Sequence, residues 1–320
     1  MKLNNKDKLI LFSKFNLDLI NQIINNQNLN NHKIRCSFFN GNLEIFLLNK
    51  ANKIKNDYAF IFEDISDISQ EFKKALNNRE VNFLKFENEI KNYCKLVNIL
   101  KKNISKIFIS NFEIYEKSNF LNTFTQYKKK RGPSYLINIA NNIVADFIDN
   151  SEDIFLINNT HLSNLKINYT NYFTAKFPVE IDNIKSIANN LINAIINLRG
   201  DGKKLIICDL DNTLWGGVLG DIGYEKINLG GHDLVGEAHQ NLQTFLKYLK
   251  SQGAMLAISS KNEMKNVKEA FKKNENMILN LDDFVEIKCN WEDKAKNINE
   301  ILKNVNITSS HAVFIDDSEI

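Results

Sequence analysis

The sequence predicts an α/β protein built from two doubly wound parallel-sheet domains, and three observations lead there. At 320 residues the chain is long enough for two domains, each burying its own core. Short runs of β-branched and aromatic residues alternate with longer stretches of helical spacing, the pattern of strands joined by crossover helices. The alternation is interrupted once, at the glycine-bearing, charged string "RGDGKK" (Arg199 to Lys204), and restarts beyond it. That junction sets an N-terminal α/β domain of residues 1–199 and a C-terminal domain of residues 200–320.

In the first domain "DYAFIFE" (Asp57 to Glu63), "SKIFISNF" (Ser105 to Phe112) and "DIFLINN" (Asp153 to Asn159) read as buried strands. Between them Ile68 to Lys101 and Tyr135 to Asp149 have helical spacing, with Leu136, Ile139, Ala140, Ile143 and Val144 on one face. Ser13 in "LFSKFNLDL" reads as a helix N-cap. A helix over Ile181 to Leu198 closes the domain.

After the junction the expected order is strand Leu205–Asp209, a glycine-rich segment, and a helix over Val235–Gln252 burying Leu242, Phe245, Leu246 and Leu249. Strand Ala254–Ser259, helix Glu263–Lys273, strand Phe284–Lys288, helix Glu292–Lys303 and strand His311–Ile315 follow. Asp282 and Asp283 precede a strand and read as plain surface. There are two prolines, and half of the twelve glycines lie between Gly216 and Gly231. Most turns elsewhere therefore fall to asparagine, which tolerates the left-handed conformation.

Bulk properties exclude several classes. A net charge of +3, from 41 basic and 38 acidic side chains, gives no basic field of the kind nucleic-acid binders carry, and Lys128 to Arg131 reads as solvated surface. Cys36, Cys94, Cys208 and Cys289 lie far apart with no C-x-x-C pair, which argues against a disulfide framework or a zinc site and for a reducing cytosol. The apolar run in "MKLNNKDKLILFSKF" is too short for a signal peptide, and no stretch approaches the roughly 18 apolar residues of a membrane span. The expectation is a cytoplasmic protein that binds neither nucleic acid nor membrane.

Ligands of open parallel sheets bind outside the carboxyl ends of the strands. In the second domain those positions hold Asp209 and Asp211, then Ser260, then Lys294 at the start of the next helix, then Asp316 and Asp317. Carboxylates for a hard cation, with a hydroxyl and an ammonium for phosphate oxygens, are what Mg²⁺-assisted phosphoryl transfer requires. Buried carboxylates also demand a partner, since an unpaired one costs several kcal/mol, roughly. Trp215 and Trp291 flank these motifs as candidate crevice walls, and no histidine, His232 and His239 included, is assigned a role.

The run "DLDNTLWGGVLGD", followed by "SSKNE", "NWEDKAKNI" and "VFIDDSE", resembles the haloacid dehalogenase superfamily, and within it the FkbH-like subgroup. The resemblance covers about residues 203–320 and implies a Rossmann-like core without a large cap. Upstream, "YFTAKFP" suggests the SGNH-hydrolase-like amino-terminal region of that subgroup.

Carried over by position, the likeness makes Asp209 the nucleophile, Asp211 the general acid and base, and Thr213 an orienting hydroxyl. It makes Ser260 a phosphate ligand and Lys294 the neutralising cation, and has Asp209, the Asp211 carbonyl, Asp316 and Asp317 hold Mg²⁺. It implies a phosphorylated small-molecule substrate, and specifically conversion of a bisphosphoglycerate into a glyceryl thioester on an acyl carrier protein.

One helix and one strand consume the chain between Ser260 and Lys294, leaving no room there for a cap domain. Cys208 precedes Asp209 in a strand and should point away from it by alternation, reading as a small buried residue. The sequence stops at Ile320, before the helix and last strand the likeness would supply, so Asp316 is expected to be poorly held. Two other readings stay open: a phosphatase for a small sugar or lipid-precursor phosphate, and a non-catalytic carrier-protein-binding module.

Overall fold

A computed structural model of the chain describes residues 7–26, 34–50, 55–113, 124–159, 177, 181–231 and 233–318. Two compact units result, Met1–Ile196 and Asn197–Ile320. Most of "YFTAKFP", His232 and the tract Gln27 to Asn31 lie outside the described residues.

The first unit runs β1 (Asp7–Ser13), α1 (Asp18–Asn26), β2 (Ile34–Asn40), α2 (Leu43–Lys50), β3 (Asn56–Ile61), α3 (Ile65–Ile68), α4 (Gln70–Leu76), α5 (Phe83–Leu100), β4 (Ile104–Ser110), α6 (Pro133–Asp149), β5 (Ile154–Ile157) and α7 (Ile181–Leu198). Its strands are all parallel, in the order β2-β1-β3-β4-β5. Both faces are covered, which is why these strands read as continuous apolar runs. Leu9, Leu11, Phe60 and Phe108 pack with Ile187 and Leu191 of α7. Ile10, Phe12, Ile61 and Ile109 point the other way, onto Phe86 and Ile90 of α5.

The stretch 68–101, expected to be helical, holds two helices, α4 and α5, with α3 ending at its first residue. Ser69 is extended (φ −122°, ψ 118°) and its hydroxyl accepts from Phe72 N–H, capping α4, while Asn82 caps α5 through Lys85 N–H. Local capping chemistry breaks a stretch whose apolar spacing alone looks continuous. Ser13 is not a helix cap either: its buried hydroxyl accepts from Phe15 N–H at 2.9 Å, a turn made before α1 begins.

The second unit runs β6 (Leu205–Cys208), α8 (Leu219–Ile222), α9 (Leu234–Ser251), β7 (Met255–Ser260), α10 (Met264–Lys273), β8 (Phe284–Cys289), α11 (Lys294–Val305) and β9 (Ala312–Ile315). All four strands are parallel, in the order β8-β7-β6-β9. The order reverses between β6 and β9, so the crevice that doubly wound sheets offer to ligands lies at the ends of those two strands. Alternation sorts β6 cleanly. Ile206 and Cys208 join Leu256, Ile258, Val267 and Phe271 on one face. Leu205 and Ile207 face Ile301 and Leu302 of α11 on the other.

Asparagine does make the turns glycine does not: Asn78, Asn212 and Asn306 have φ of 52°, 53° and 57°. Two expectations fail in α9 and its neighbourhood. Phe245 is 54% exposed, and Gln243 takes the inward position, fully buried. Its amide donates to Leu214 C=O and accepts from Ile278 and Leu279 N–H, so the polar group is satisfied and is tolerated inside. Asp283 is not plain surface, because it accepts from Asn280 N–H at 2.7 Å and pairs with Lys250 at 2.7 Å. Among the described residues no helix is long and apolar enough to cross a membrane.

The face of the second sheet under α11 has a small core, so its contacts should be individually expensive to lose. Ile301 is fully buried there. Ile301→Ala should cost about 2–5 kcal/mol in urea unfolding, and a loss under about 1 kcal/mol would show that α11 is not held by this packing.

Candidate active site

The ladder continues one step past β6, with Asp209 N–H donating to Ile315 C=O at 2.9 Å, so Asp209 leaves the sheet held by its backbone. Its side chain is on the α11 side by parity with Leu205 and Ile207, and its carboxylate is 9% exposed. One oxygen accepts from Leu210 N–H at 2.8 Å and the other from Lys294 Nζ at 2.6 Å. Lys294 is the first residue of α11, whose N-cap Asp293 accepts from Lys296 N–H. The same ammonium reaches Asp316 Oδ2 at 2.5 Å, at the end of β9. Asp316 Oδ1 accepts from the Ser318 amide and hydroxyl, so a turn of two further residues is enough to hold it firmly, against the expectation of a loose end.

These pairings move the acid–base behaviour of both partners. Burial pulls the Lys294 ammonium down, but its hydrogen bonds to Asp209 and Asp316 prevail and hold it above the usual lysine value. Burial pushes Asp316 up, and hydrogen bonds from Lys294 and Ser318 outweigh that and lower it. Asp317 is exposed beside them. Oxygens of Asp209, Asp316 and Asp317 all lie within 4.8 Å of one another, a hard-oxygen set suited to a divalent cation.

Asp211 is placed differently. Asn212 turns the chain through the left-handed region, and Asp211 ends among donors: Trp215 Nε1 at 3.0 Å and Leu219 N–H at 3.1 Å on one oxygen, Asn262 Nδ2 at 2.9 Å on the other. Its side chain is outside the three-carboxylate cluster. The Asn262 amide also donates to Ser260 Oγ at 3.1 Å, joining the end of β7 to Asp211. Thr213 is 5% exposed and its hydroxyl has no hydrogen-bond partner, an unsatisfied donor at the same edge.

Asn262 is the residue that sequence reasoning passed over. It stands in the quoted "SSKNE", but an amide two residues past a strand end looks like a turn residue until its contacts are seen. Trp215 is fully buried, with its indole N–H spent on Asp211, whereas Trp291 is 72% exposed. His239 Nδ1 lies 2.7 Å from Thr213 C=O, a packing contact behind the loop.

Cys208 is fully buried on the opposite face, and burial, with Asp209 adding, pushes its thiol up to about 12. Burial first and then Asp209 and Asp211 push Cys289 up to about 12 as well. Neither thiol is a ready nucleophile near neutral pH.

No family model matches the chain. Over 98% of its length and 84% of the other's, the chain superposes with a TM-score of 0.86 and 26% identity on the N-terminal part of the protein BF1531 from Bacteroides fragilis, which contains a phosphatase domain complexed with Mg. That likeness is consistent with a phosphatase of the haloacid dehalogenase type. An acetylxylan esterase from Geobacillus stearothermophilus matches at a TM-score of 0.40 and 12% identity over 61% of this chain and 96% of that one, too low to assign an activity. Reticulocyte-binding protein homolog 1 of Plasmodium falciparum (isolate 3D7) is 26% identical over 257 residues, 75% of this chain. The chain spans 8% of that protein's length.

The Lys294 pairing predicts a pH signature. Asp316, depressed below its ordinary 3.8, contributes stability above that pH and loses it as pH falls through the folded value. Lys294, raised above 10.5, contributes below that pH and loses it as pH rises through its folded value. Replacing the ammonium by a neutral chain in Lys294→Met strands two buried carboxylates. In metal-free buffer its deficit in urea midpoint should be largest near neutrality and narrow as pH falls below about 4, where Asp316, no longer held down by the ammonium, takes up its proton. A deficit independent of pH would show that only packing was lost.

Proposed function

We propose that the protein is a Mg²⁺-dependent phosphatase or phosphotransferase that works through an aspartyl-phosphate on Asp209. The observation that carries this reading is the Lys294 ammonium set between Asp209 and Asp316, with Asp317 close enough to complete an oxygen-donor cluster. The Mg-complexed phosphatase domain of BF1531, alike over nearly the whole chain, supports it independently.

The donor set fits Mg²⁺: three carboxylates supply hard oxygens, Asp209, Asp316 and Asp317 would hold the ion, and bound there it would offset charge on the phosphoryl group. The chain's own residues account for the rest. An Asp209 oxygen attacks phosphorus, forming a new O–P bond while the bond to the leaving oxygen breaks. Asp211, fixed by Trp215, Leu219 and Asn262, gives its proton to that leaving oxygen. A water then attacks the aspartyl-phosphate, returns a proton to Asp211, and releases inorganic phosphate with Asp209 restored. Lys294 neutralises Asp209 and the transferred group throughout, and the Thr213 and Ser260 hydroxyls meet phosphate oxygens.

Within that class we place the protein with the FkbH-like enzymes, acting on a bisphosphoglycerate and loading the glyceryl group on an acyl carrier protein. The sequence strings "DLDNTLWGGVLGD" and "NWEDKAKNI" support this reading, as does the short span between Ser260 and Lys294, filled by α10 and β8 with no room for a domain-sized lid there. Burial keeps the Cys208 and Cys289 thiols protonated, which favours direct transfer over a glyceryl-cysteine stage: the carrier's thiol attacks the phosphorylated carboxyl, the thioester C–S bond forms as the acyl C–O bond breaks and phosphate leaves, and Asp209 takes the other, ester-linked phosphate.

Asp209→Asn should abolish Mg²⁺-dependent phosphate release, a loss of at least about a thousandfold, and EDTA should do the same to the parent. Turnover retained by Asp209→Asn would remove the nucleophile. Mass spectrometry of a carrier protein incubated with enzyme and bisphosphoglycerate should show a glyceryl adduct; phosphate release without an adduct would leave a plain phosphatase.

Asn262→Ala, which frees one oxygen of Asp211, should lower kcat about 10- to 100-fold with KM little changed, since it loosens the proton donor and leaves the phosphate cradle in place. A change confined to KM would make Asn262 a substrate-binding group instead.

A further inference from the structure

One hydroxyl close to Asp209 is left unbonded by the fold. Ser259, next to last in β7, is fully buried, and its Oγ has no hydrogen-bond partner. Such atoms are few in a well-packed interior, because each costs about 1–3 kcal/mol. The Thr213 hydroxyl, unbonded at the same edge, already has a place at the phosphate oxygens. Ser259 has none.

Parity and register locate it. Leu256 and Ile258 of β7 join the Cys208 face of the sheet, whereas Ala257 joins Leu205 and Ile207 under α11. Ser259 follows Ala257 onto the α11 face by alternation. In the parallel pairing of β6 with β7, Ile207 stands opposite Ala257 and Cys208 opposite Ile258. The next step of that register sets Asp209 opposite Ser259, on the same face and at the spacing of neighbouring strands, roughly 4.8 Å.

The surroundings decide where the hydroxyl can turn. Asn297, three residues along α11 from Lys294 and buried, has its amide committed to Asn290, each side chain donating to the other's oxygen at 3.1 and 2.7 Å. Lys288, opposite Ser259 in β8, can only donate, and holds Glu300 at 2.9 Å. Asp209 differs from both. Each of its oxygens takes one N–H, from Leu210 and from Lys294, while a carboxylate has about four acceptor sites. The buried Ser259 Oγ offers no surface for a substrate to touch, so its partner is a group of the protein.

We propose that Ser259 is a positioning residue for the second half of the reaction: turned about its Cα–Cβ bond, its hydroxyl donates to the Asp209 oxygen not bonded to phosphorus while the aspartyl-phosphate is hydrolysed. This role rests on the reading of Asp209 as nucleophile. In that step the water oxygen bonds to phosphorus, the Asp209 O–P bond breaks, its electron pair returns to the carboxylate, and the water's proton goes to Asp211. Negative charge grows over both oxygens of the departing Asp209, and a donor to the second oxygen stabilises it. A donor bonded to Asp209 from the start would blunt the nucleophile, whereas one that engages after attack does not. That is the use of a hydroxyl standing unbonded in the resting fold.

The test follows turnover of p-nitrophenyl phosphate with Mg²⁺, reading the phosphoenzyme by intact-protein mass spectrometry of acid-quenched samples. Ser259→Ala should leave the melting temperature unchanged or raise it, because it deletes an unbonded hydroxyl. Once substrate is removed, its phosphoenzyme should decay about 10- to 100-fold more slowly than the parent's, the worth of one hydrogen bond to a charged group. Formation of the phosphoenzyme, reported by kcat/KM, should not change. Decay at the parent rate in a folded Ser259→Ala protein overturns the proposal, and so does a loss confined to kcat/KM. A melting temperature lowered by several degrees overturns it too, since the hydroxyl would then be bonded in the resting fold. If the parent forms no phosphoenzyme and Asp209→Asn turns over as the parent does, the aspartyl-phosphate reading falls and takes this role with it. A parent that forms one, with Ser259→Ala decaying no more slowly, leaves that reading standing and removes Ser259 alone.

Discussion

One ammonium group decides how the second unit can exist. Asp209 and Asp316 are carboxylates with side chains 9% and 5% exposed, brought together because the sheet order sets β6 beside β9. Two such charges in a crevice repel each other and have both lost hydration, a situation that costs several kcal/mol, roughly, per uncompensated ion. Lys294 resolves it by reaching both. It can do so because α11 is the crossover from β8 to β9 and packs on the Asp209 face of the sheet through Ile301 and Leu302, which points its first residue back over the strand ends. Fold order, helix packing and charge balance are thus one arrangement seen three ways.

The two aspartates of the D-x-D motif end in opposite settings, which under the proposed function suits them to different chemistry. Asp209 keeps the strand's parity and faces an ammonium. Asp211 lies beyond that regular alternation, beside a left-handed Asn212, and takes three N–H donors, one from a buried indole, one from a backbone amide and one from the Asn262 side chain. A group locked by three hydrogen bonds is oriented for proton transfer before a substrate arrives, while a carboxylate in a charge cluster suits attack on an anionic centre. The separation is achieved by a backbone turn, not by different residue types.

How much of this was legible in the sequence depends on the range of the interaction. Strand ends and the residues after them are local facts, so Asp209, Ser260, Lys294 and Asp316 can be picked out from apolar runs and breaks alone, and the parity that sends Cys208 away from Asp209 is equally local. The contacts of Asn262 are not. They join positions 51 residues apart through an amide that nothing in its own neighbourhood distinguishes from a turn residue. Hydrophobic spacing also misjudged α9, where Gln243 is inside and Phe245 outside, because buried glutamine is acceptable only once Leu214, Ile278 and Leu279 supply its partners. The same blindness to capping hid the breaks at Ser69 and Asn82 that set α4 and α5 apart.

The absence of room for a cap between β7 and β8 has a structural complement in the glycine-rich segment after the motif. That segment is pinned: Gly216 and Asn228 exchange backbone hydrogen bonds at 2.8 Å each way, and Leu219, Ile227 and Leu229 are buried in the core cluster below the loop. Ile222, 37% exposed on α8, packs its tip where a Cβ on Gly217 would have to go, so only glycine, at φ 95°, passes that point. A segment tied down in this way does not swing over a substrate. Under the proposed function the crevice then stays open to the water that hydrolyses the aspartyl-phosphate, and selectivity rests on how well the substrate's own bulk fits between fixed surfaces.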